Sequence, residues 1–367
     1  MNKFKALSLV FLLFGATVFL GCGDKENDDK ENDEIIASFE GSGTQIDPYL
    51  IGTAAELAEL ADLMYMCDTY AEYTEKYYKL TADIDLSDYK SGKGWKPIGT
   101  YEGYDFRGHF DGNYHTVRGL YINADEYKFV GLFGWISGGT VINLGVEGDV
   151  YGDENVGGLA GNFGFKSLIL NCYAAVNVGG GWSTGGLAGS ISNGSSVINC
   201  YATGSVSALG SVGGLAGAIS YDCSVTNCYA ANSVHCIYGN MTGGIAGYFS
   251  GIDTRSKIEN CVALNPSVSE GGAFVGRVIG LSTNGTLTNN LAWEGMLVNG
   301  VTVADGSATN GTDITALQAK TQTAYVNLGW KFGNNDDNPW KMGVSGYGLP
   351  VFWWQATAPT VMPEHLK

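Results

Sequence analysis

Two carboxylates, one guanidinium and two imidazoles fall within eleven residues, in Asp105-Phe-Arg-Gly-His-Phe-Asp-Gly-Asn-Tyr-His115. Paired acids with a base are what glycosidic-bond chemistry uses, one carboxyl donating a proton while the other acts as base or nucleophile. On an alternating strand Arg107, His109 and Asp111 share a face, which makes Asp105, Arg107, His109 and Asp111 the candidate catalytic set. The same run also reads as turn chemistry, because Asp and Asn close corners through their own side-chain oxygens. The turn reading is preferred. Asp83 with Asp85, and Asn334-Asn-Asp-Asp-Asn338, offer oxygens of the kind Ca2+ takes, but neither has EF-hand spacing. No other cofactor is expected: Gly-Lys-Ser/Thr phosphate loops, Gly-x-Ser-x-Gly elbows and His-Glu-x-x-His are absent. Neither Cys-x-x-Cys nor His-x-x-x-His occurs, so no metal site is expected.

A second set of candidates is a column. Tyr173, Tyr201 and Tyr229, continued by Val262, each follow a cysteine: Cys172, Cys200, Cys228 and Cys261. If Cys points inward, Tyr points outward and forms an aromatic stripe suited to stacking sugars. If Tyr points inward, it is core. The outward reading makes Tyr173, Tyr201 and Tyr229 the candidate ligand-binding residues. The cysteines read as a buried ladder of small apolar groups, since parallel Cβ vectors on stacked strands do not converge for a disulfide. Cys223–Cys236 stays open as a pair.

These columns need a scaffold that repeats. Val156-Gly-Gly-Leu-Ala-Gly161 recurs as Thr184–Gly189, Val212–Gly217 and, with Ile for Leu, Thr242–Gly247, in steps of 28, 28 and 30 residues. Asn171-Cys-Tyr-Ala174 and its copies at 199, 227 and 260 keep the same phase. Such a period marks a solenoid whose coils bury their apolar faces only against neighbours. Val, Ile and Thr in short runs favour strand, with Gly and Asn at the turns. A coil of about 28 residues then holds three short strands and three corners, a parallel β-helix with rungs about 4.8 Å apart. Val130–Gly134 and Gly272–Gly276 read as the outer, degenerate coils. Ala54–Met64, with Thr53 as N-cap, reads as a helix on the N-terminal side. Thr312–Val326 reads as a short amphipathic helix, and Leu349–Gln355 as an aromatic lid strand.

Residues 1–21 read as a leader, with Lys3 and Lys5 ahead of apolar Leu7–Leu20. Phe19-Leu-Gly-Cys22 resembles a bacterial lipobox, which implies lipidation at Cys22. Residues 22–37 read as an acidic, disordered tether, and their charges resemble a lipoprotein surface-export signal of some Gram-negative gut anaerobes. The remaining spans are a cap with leading coils (38–128), the repeats (129–300), a C-terminal cap (301–356) and a tail (357–367). A chain of formal charge −17 is a poor partner for nucleic acid or anionic lipid.

The Gly-Gly-Leu-Ala-Gly phrases resemble the GLUG repeat, named for Gly-Leu-any-Gly. Gly43–Ile51, Tyr78–Leu86, Trp95–Gly99 and Phe106–His115 are similar to the leading segment of GLUG-containing surface lipoproteins. The resemblance implies a right-handed β-helix on a bacterial surface, often linked with adhesion. Some relatives join the repeat to a metallopeptidase that cuts immunoglobulin A, but this chain shows no zinc-ligand motif to carry that activity. The expectation is therefore an all-β, monomeric outer-membrane lipoprotein, exposed on the cell surface and attached to the membrane through its N-terminal lipid only. It would bind an extracellular glycan or a host surface protein without catalysis. A polysaccharide lyase or glycosidase, and a structural component of a surface assembly, are the alternatives.

Overall fold

The computed structural model describes residues 38–66, 71–100, 103–239, 241–251, 255–269, 273–303, 306–344, 347–355 and 362–367. The leader, Cys22, the acidic tether and Cys67 lie outside them. Residues Ala37–Lys367 form one compact unit.

Each repeat closes one coil of a parallel β-solenoid. In one coil the strands are Ser183–Gly185, Ala188–Ser192, Ser196–Ile198 and Tyr201–Ala208. Each pairs in parallel with its counterparts before and after: Thr184 with Val156 and Val212, Ile191 with Phe163 and Ile219, Val197 with Ile169 and Val225, Tyr201 with Tyr173 and Tyr229. Two faces of the solenoid are six-stranded sheets, and the third is one larger sheet that bends. That bend gives four strands per coil where three were expected. It falls at the Asn of Asn-Cys-Tyr, where Asn143, Asn171, Asn199, Asn227, Asn260 and Asn289 all have φ between 52° and 56°. Asn tolerates this left-handed region better than other residues with a side chain. The side chains also stack, each Nδ2 donating to the preceding Oδ1: Asn171 to Asn143 at 3.2 Å, Asn199 to Asn171 at 3.1 Å, Asn227 to Asn199 at 3.3 Å.

The interior is filled by like residues on successive rungs. Leu159, Leu187, Leu215 and Ile245 are fully buried, as are Cys172, Cys200, Cys228 and Cys261. These four thiols are free and bond to backbone, such as Cys172 Sγ to the Leu170 carbonyl at 3.3 Å. Burial pushes the Cys172 thiol up to about 12 and those of Cys228 and Cys261 well above their ordinary value, so they serve as packing groups. Cys223 and Cys236 are not joined by a disulfide, their thiols bonding instead to the carbonyls of Ser220 and Gly210 respectively, so that open pairing is not made.

Helix α1 (Ala54–Leu63) forms as expected, closed by a capping box in which Thr53 and Glu56 satisfy each other's backbone N–H groups. It buries Leu57, Leu60, Ala61 and Leu63 in the same core as the coils. The C-terminal expectation needs correcting. Thr312–Ile314 is not helical but adds a last rung on Leu291–Trp293, because the preceding coil offers an open sheet edge. Thr315 then caps α2 (Ala316–Ala319), and α3 (Gln322–Val326) follows. The aromatic segment is a strand, Pro350–Phe352, paired antiparallel with Trp340–Met342. It does not close the end of the coil. Instead it runs back across the lateral Tyr face, from Trp330 beside Tyr229 to Phe352 on Tyr201 and Trp354 beside Tyr173. No helix among the described residues is long and apolar enough to cross a membrane.

Candidate functional site

Tyr173, Tyr201 and Tyr229 point out of the coil, stacked with centroids 5.1 and 4.8 Å apart and planes within 7°. They are nevertheless only 3 %, 0 % and 0 % exposed. A bare row of rings would be an apolar patch of the kind proteins cover, and the C-terminal segment covers it, forming a second core with Trp330, Trp340, Leu349 and Phe352. The hydroxyls are also committed: Tyr201 to Gln355, Tyr229 to the Pro350 carbonyl at 2.8 Å, and Tyr173 to Glu147 at 2.9 Å. This corrects the expected ligand stripe, since the closed lid buries Tyr201 and Tyr229 completely and leaves only a sliver of Tyr173 open to a cleft.

The candidate catalytic set is dispersed into structural roles. Arg107 forks onto both oxygens of Asp105 at 2.9 and 3.1 Å, ahead of the strand that begins at His109. His109 stacks on Tyr77 with centroids 4.2 Å apart, and its Nδ1 lies 2.9 Å from Thr140 Oγ1. Burial lowers its pKa, so the ring stays neutral. Asp111 accepts from the Asn113 N–H at 2.8 Å, the side-chain turn that the Gly-Asn sequence allows. These partners leave the four side chains without a common focus.

The Ca2+ candidates also have other work. Asp85 accepts from the Ser87 N–H at 2.9 Å, and Asn335 Oδ1 accepts from the Asn338 N–H at 3.0 Å. Asp83 accepts from the Thr116 N–H at 3.0 Å and from Arg118 at 3.0 Å, with His115 Nδ1 at 3.3 Å. Partial desolvation works against the Asp83 carboxylate, but these groups together hold it below its usual range. A depressed pKa contributes stability above the unfolded value of about 3.9 that is lost as pH falls through the folded value. Asp83→Asn should therefore lower the thermal midpoint at pH 7, and the gap to wild type should close below about pH 4. Thermal melts across that range check it. The effect is small, because solvent screens so exposed a group.

One lateral edge does present aromatic groups to solvent. At the corner after the Tyr173–Gly180 strand and its counterparts, Tyr151, Trp182, Leu209, Ile237 and Tyr238 are exposed, Trp182 by 71 % and Tyr238 by 82 %. Successive corners are locked together by backbone bonds. The N–H groups of Leu209 and Gly210 share the Gly181 carbonyl at 3.0 and 2.9 Å, and the Ile237 N–H donates to Ala208 at 2.7 Å. Tyr151 lies over Gly179, where an added Cβ would stand 2.5 Å from the ring. Beside this edge runs a polar ladder on the outward face: Asn177 Nδ2 donates to Asp149 at 2.9 Å, and Ser205 Oγ to Asn177 Oδ1 at 2.9 Å. In the neighbouring outward column, two residues along the strand, His235 Nδ1 and Ser269 Oγ lie 2.9 Å apart. Apolar rings beside carboxylate, amide and hydroxyl groups match the two-sided chemistry of a sugar. The repeats hid this edge, because its residue type changes from rung to rung. The signal was Gly181-Trp182, Leu209-Gly210 and Tyr238-Gly239, each a large apolar residue set against glycine at a coil junction.

Comparison with known proteins agrees with this architecture. The GLUG motif family matches residues 180–207 and 208–234. A protein of Evansella cellulosilytica, provisionally named a Gly-rich membrane protein, is 39 % identical over 129 residues, covering 33 % of this chain and 14 % of the relative. Halomucin of Haloquadratum walsbyi is 31 % identical over 178 residues, covering 39 % of this chain and 2 % of that protein. The chain thus spans a small fraction of the curated relatives it matches. A crystal structure from Bacteroides ovatus, provisionally named an immunoglobulin A1 protease, superimposes with a TM-score of 0.69 at 25 % identity, covering 86 % of this chain and 95 % of that one. In-phase Gly-Leu-Ala-Gly phrases, their stacked coils and these matches together show that the chain carries GLUG repeats on a β-helix similar to that of the Bacteroides ovatus structure.

Proposed function

We propose that this chain is a non-enzymatic, surface-tethered adhesin-like module that binds an extended glycan along the corner formed by Tyr151, Trp182, Leu209 and Tyr238. The observation that carries this reading is the exposure of Trp182 and Tyr238, two coils apart with Leu209 on the coil between them, beside the Asp149–Asn177–Ser205 ladder. Large exposed apolar groups rimmed by polar ones mark interaction sites, and a site repeated along the axis suits a polymer. The surface setting takes support from the leader-like Lys3–Cys22 segment and from relatives named as a Gly-rich membrane protein and as halomucin. The enzymatic alternative rests on the name of the Bacteroides ovatus structure. It has less support here, because Asp105 and Arg107 pair with each other while His109 and Asp111 are held by Thr140 and the Asn113 N–H.

A glycan array probed with protein from residue 35 onward, beside a Trp182→Ala/Tyr238→Ala variant, tests this. Losing even one central aromatic anchor costs about 2 kcal/mol, so affinity should fall by at least about thirtyfold. The thermal midpoint should hold, since neither ring belongs to a core. Equal binding by both proteins would remove the corner from consideration.

A further inference from the structure

A cleft of about 560 Å3 opens between the leading coils and the returning C-terminal segment, lined by Asp83, Tyr114, His115, Arg118 and Trp354 among others. We propose that this cleft is a second, pocket-type site that takes a neutral sugar residue, separate from the lateral corner.

The local backbone is built to aim these side chains. Strand His109–Ala124 departs from its register with the next rung twice, between Asp111 and His115 and again between Val117 and Leu120. Tyr114, His115, Thr116 and Arg118 fall within or between those two irregularities. Bulges re-aim side chains and concentrate beside functional sites. At the first of them Asn113 and Tyr114 are both left-handed, with φ of 47° and 68°. Two consecutive residues with side chains in that region are strained, and such strain persists where surrounding structure fixes it. Here Asp336, from the far end of the chain, holds the Tyr114 hydroxyl with both oxygens at 2.8 Å. Trp353 packs against the same ring, with centroids 5.1 Å apart.

The opposite wall is equally fixed. Trp354 stacks on Phe352 with planes 5° apart, and Gln355 is anchored by the Phe352 N–H at 2.7 Å. The indole N–H of Trp354 is buried and has no acceptor among the described residues. Across the cleft Asp83 binds Arg118, and Arg118 Nε also lies 3.6 Å from Glu147. A carboxylate, a guanidinium and an imidazole beside two aromatic rings can accept from and donate to vicinal hydroxyls while an apolar sugar face stacks. Two carboxylates against one guanidinium disfavour an anionic sugar, which selects a neutral one.

Saturation-transfer NMR on the full chain with glucose, galactose, mannose and N-acetylglucosamine, and with glucuronate as the anionic control, tests the assignment. The expected result, read in the Trp182→Ala/Tyr238→Ala background so that the corner contributes nothing, is transfer from at least one neutral sugar, weakened at least tenfold when Asp83→Asn is added. If Asp83→Asn lowers the thermal midpoint at the working temperature, His115→Gln provides the same readout. Absence of transfer from every neutral sugar, preference for glucuronate, or binding untouched by the cleft variants would overturn the proposal. Signal lost only in the corner variant would assign the sugar to the corner and likewise overturn it, whereas a silent corner with an active cleft would count against the adhesin reading alone.

Discussion

Gly189→Val should leave the solenoid largely unfolded, with a loss of at least about 3 kcal/mol, the upper range for overpacking a core. A Cβ at Gly189 would stand 2.4 Å from the Val156 nitrogen and 2.6 Å from the Asn155 carbonyl carbon, both in the preceding coil. These are backbone atoms held in a parallel ladder, so they cannot step aside as a side chain would. A Cβ added at the equivalent glycines 161, 217, 247 or 280 would likewise stand 2.3–2.5 Å from the backbone nitrogens of Val130, Thr184, Val212 and Thr242. The last Gly of each repeated phrase is therefore a point where two faces of the coil touch. Gly164→Ala is the control on the same sheet, since its nearest contact is a side-chain nitrogen at 3.3 Å. Its cost should stay within about 1 kcal/mol. Urea melts of the two variants measure the difference.

Trp340→Ala should have the next largest effect, about 3–5 kcal/mol by the usual cost of deleting a buried aromatic ring. Trp340 is fully buried, with ring centroids 4.6 Å from Trp330 and 4.7 Å from Phe352, and it rests on Tyr201 and Tyr229. Because the lid forms its own core outside the coil, its loss should appear as an early local transition rather than global unfolding. Near-UV circular dichroism should change first, with protease cuts between residues 312 and 355, while the far-UV strand signal survives. One coincident transition by both probes would show that lid and coils unfold as one unit.

The coil was legible because its physics is periodic. Leu159, Leu187, Leu215 and Ile245 fill one place on successive rungs, and the Asn of each Asn-Cys-Tyr supplies the left-handed corner. Its inward Cys and outward Tyr followed from strand alternation once that corner was fixed. The fourth strand per coil was not legible, since the sequence does not show that one sheet bends through the Asn corner. What covers the Tyr row was also hidden: Tyr201 and Gln355 are 154 residues apart, and nothing local announces a long-range contact. The exposed corner lacks a repeated residue type, so a search for columns passes over Trp182 and Tyr238. The Asp105–Asp111 run misled in the opposite way. Chemistry-bearing residues close in sequence took separate partners in space, including Thr140 and Asn143 from the next rung.

Hydroxyl-radical footprinting of the protein, free and bound to a glycan surface that it recognises, tests most directly that the corner and not the Tyr row meets the ligand. In the free protein Trp182 and Tyr238 should be modified first, and Tyr201, Tyr229 and Trp340 last. On binding, protection should appear at Trp182 and Tyr238. Rapid modification of Tyr201 and Tyr229, followed by their protection in the complex, would contradict it by showing that the lid opens and the tyrosines carry the contact.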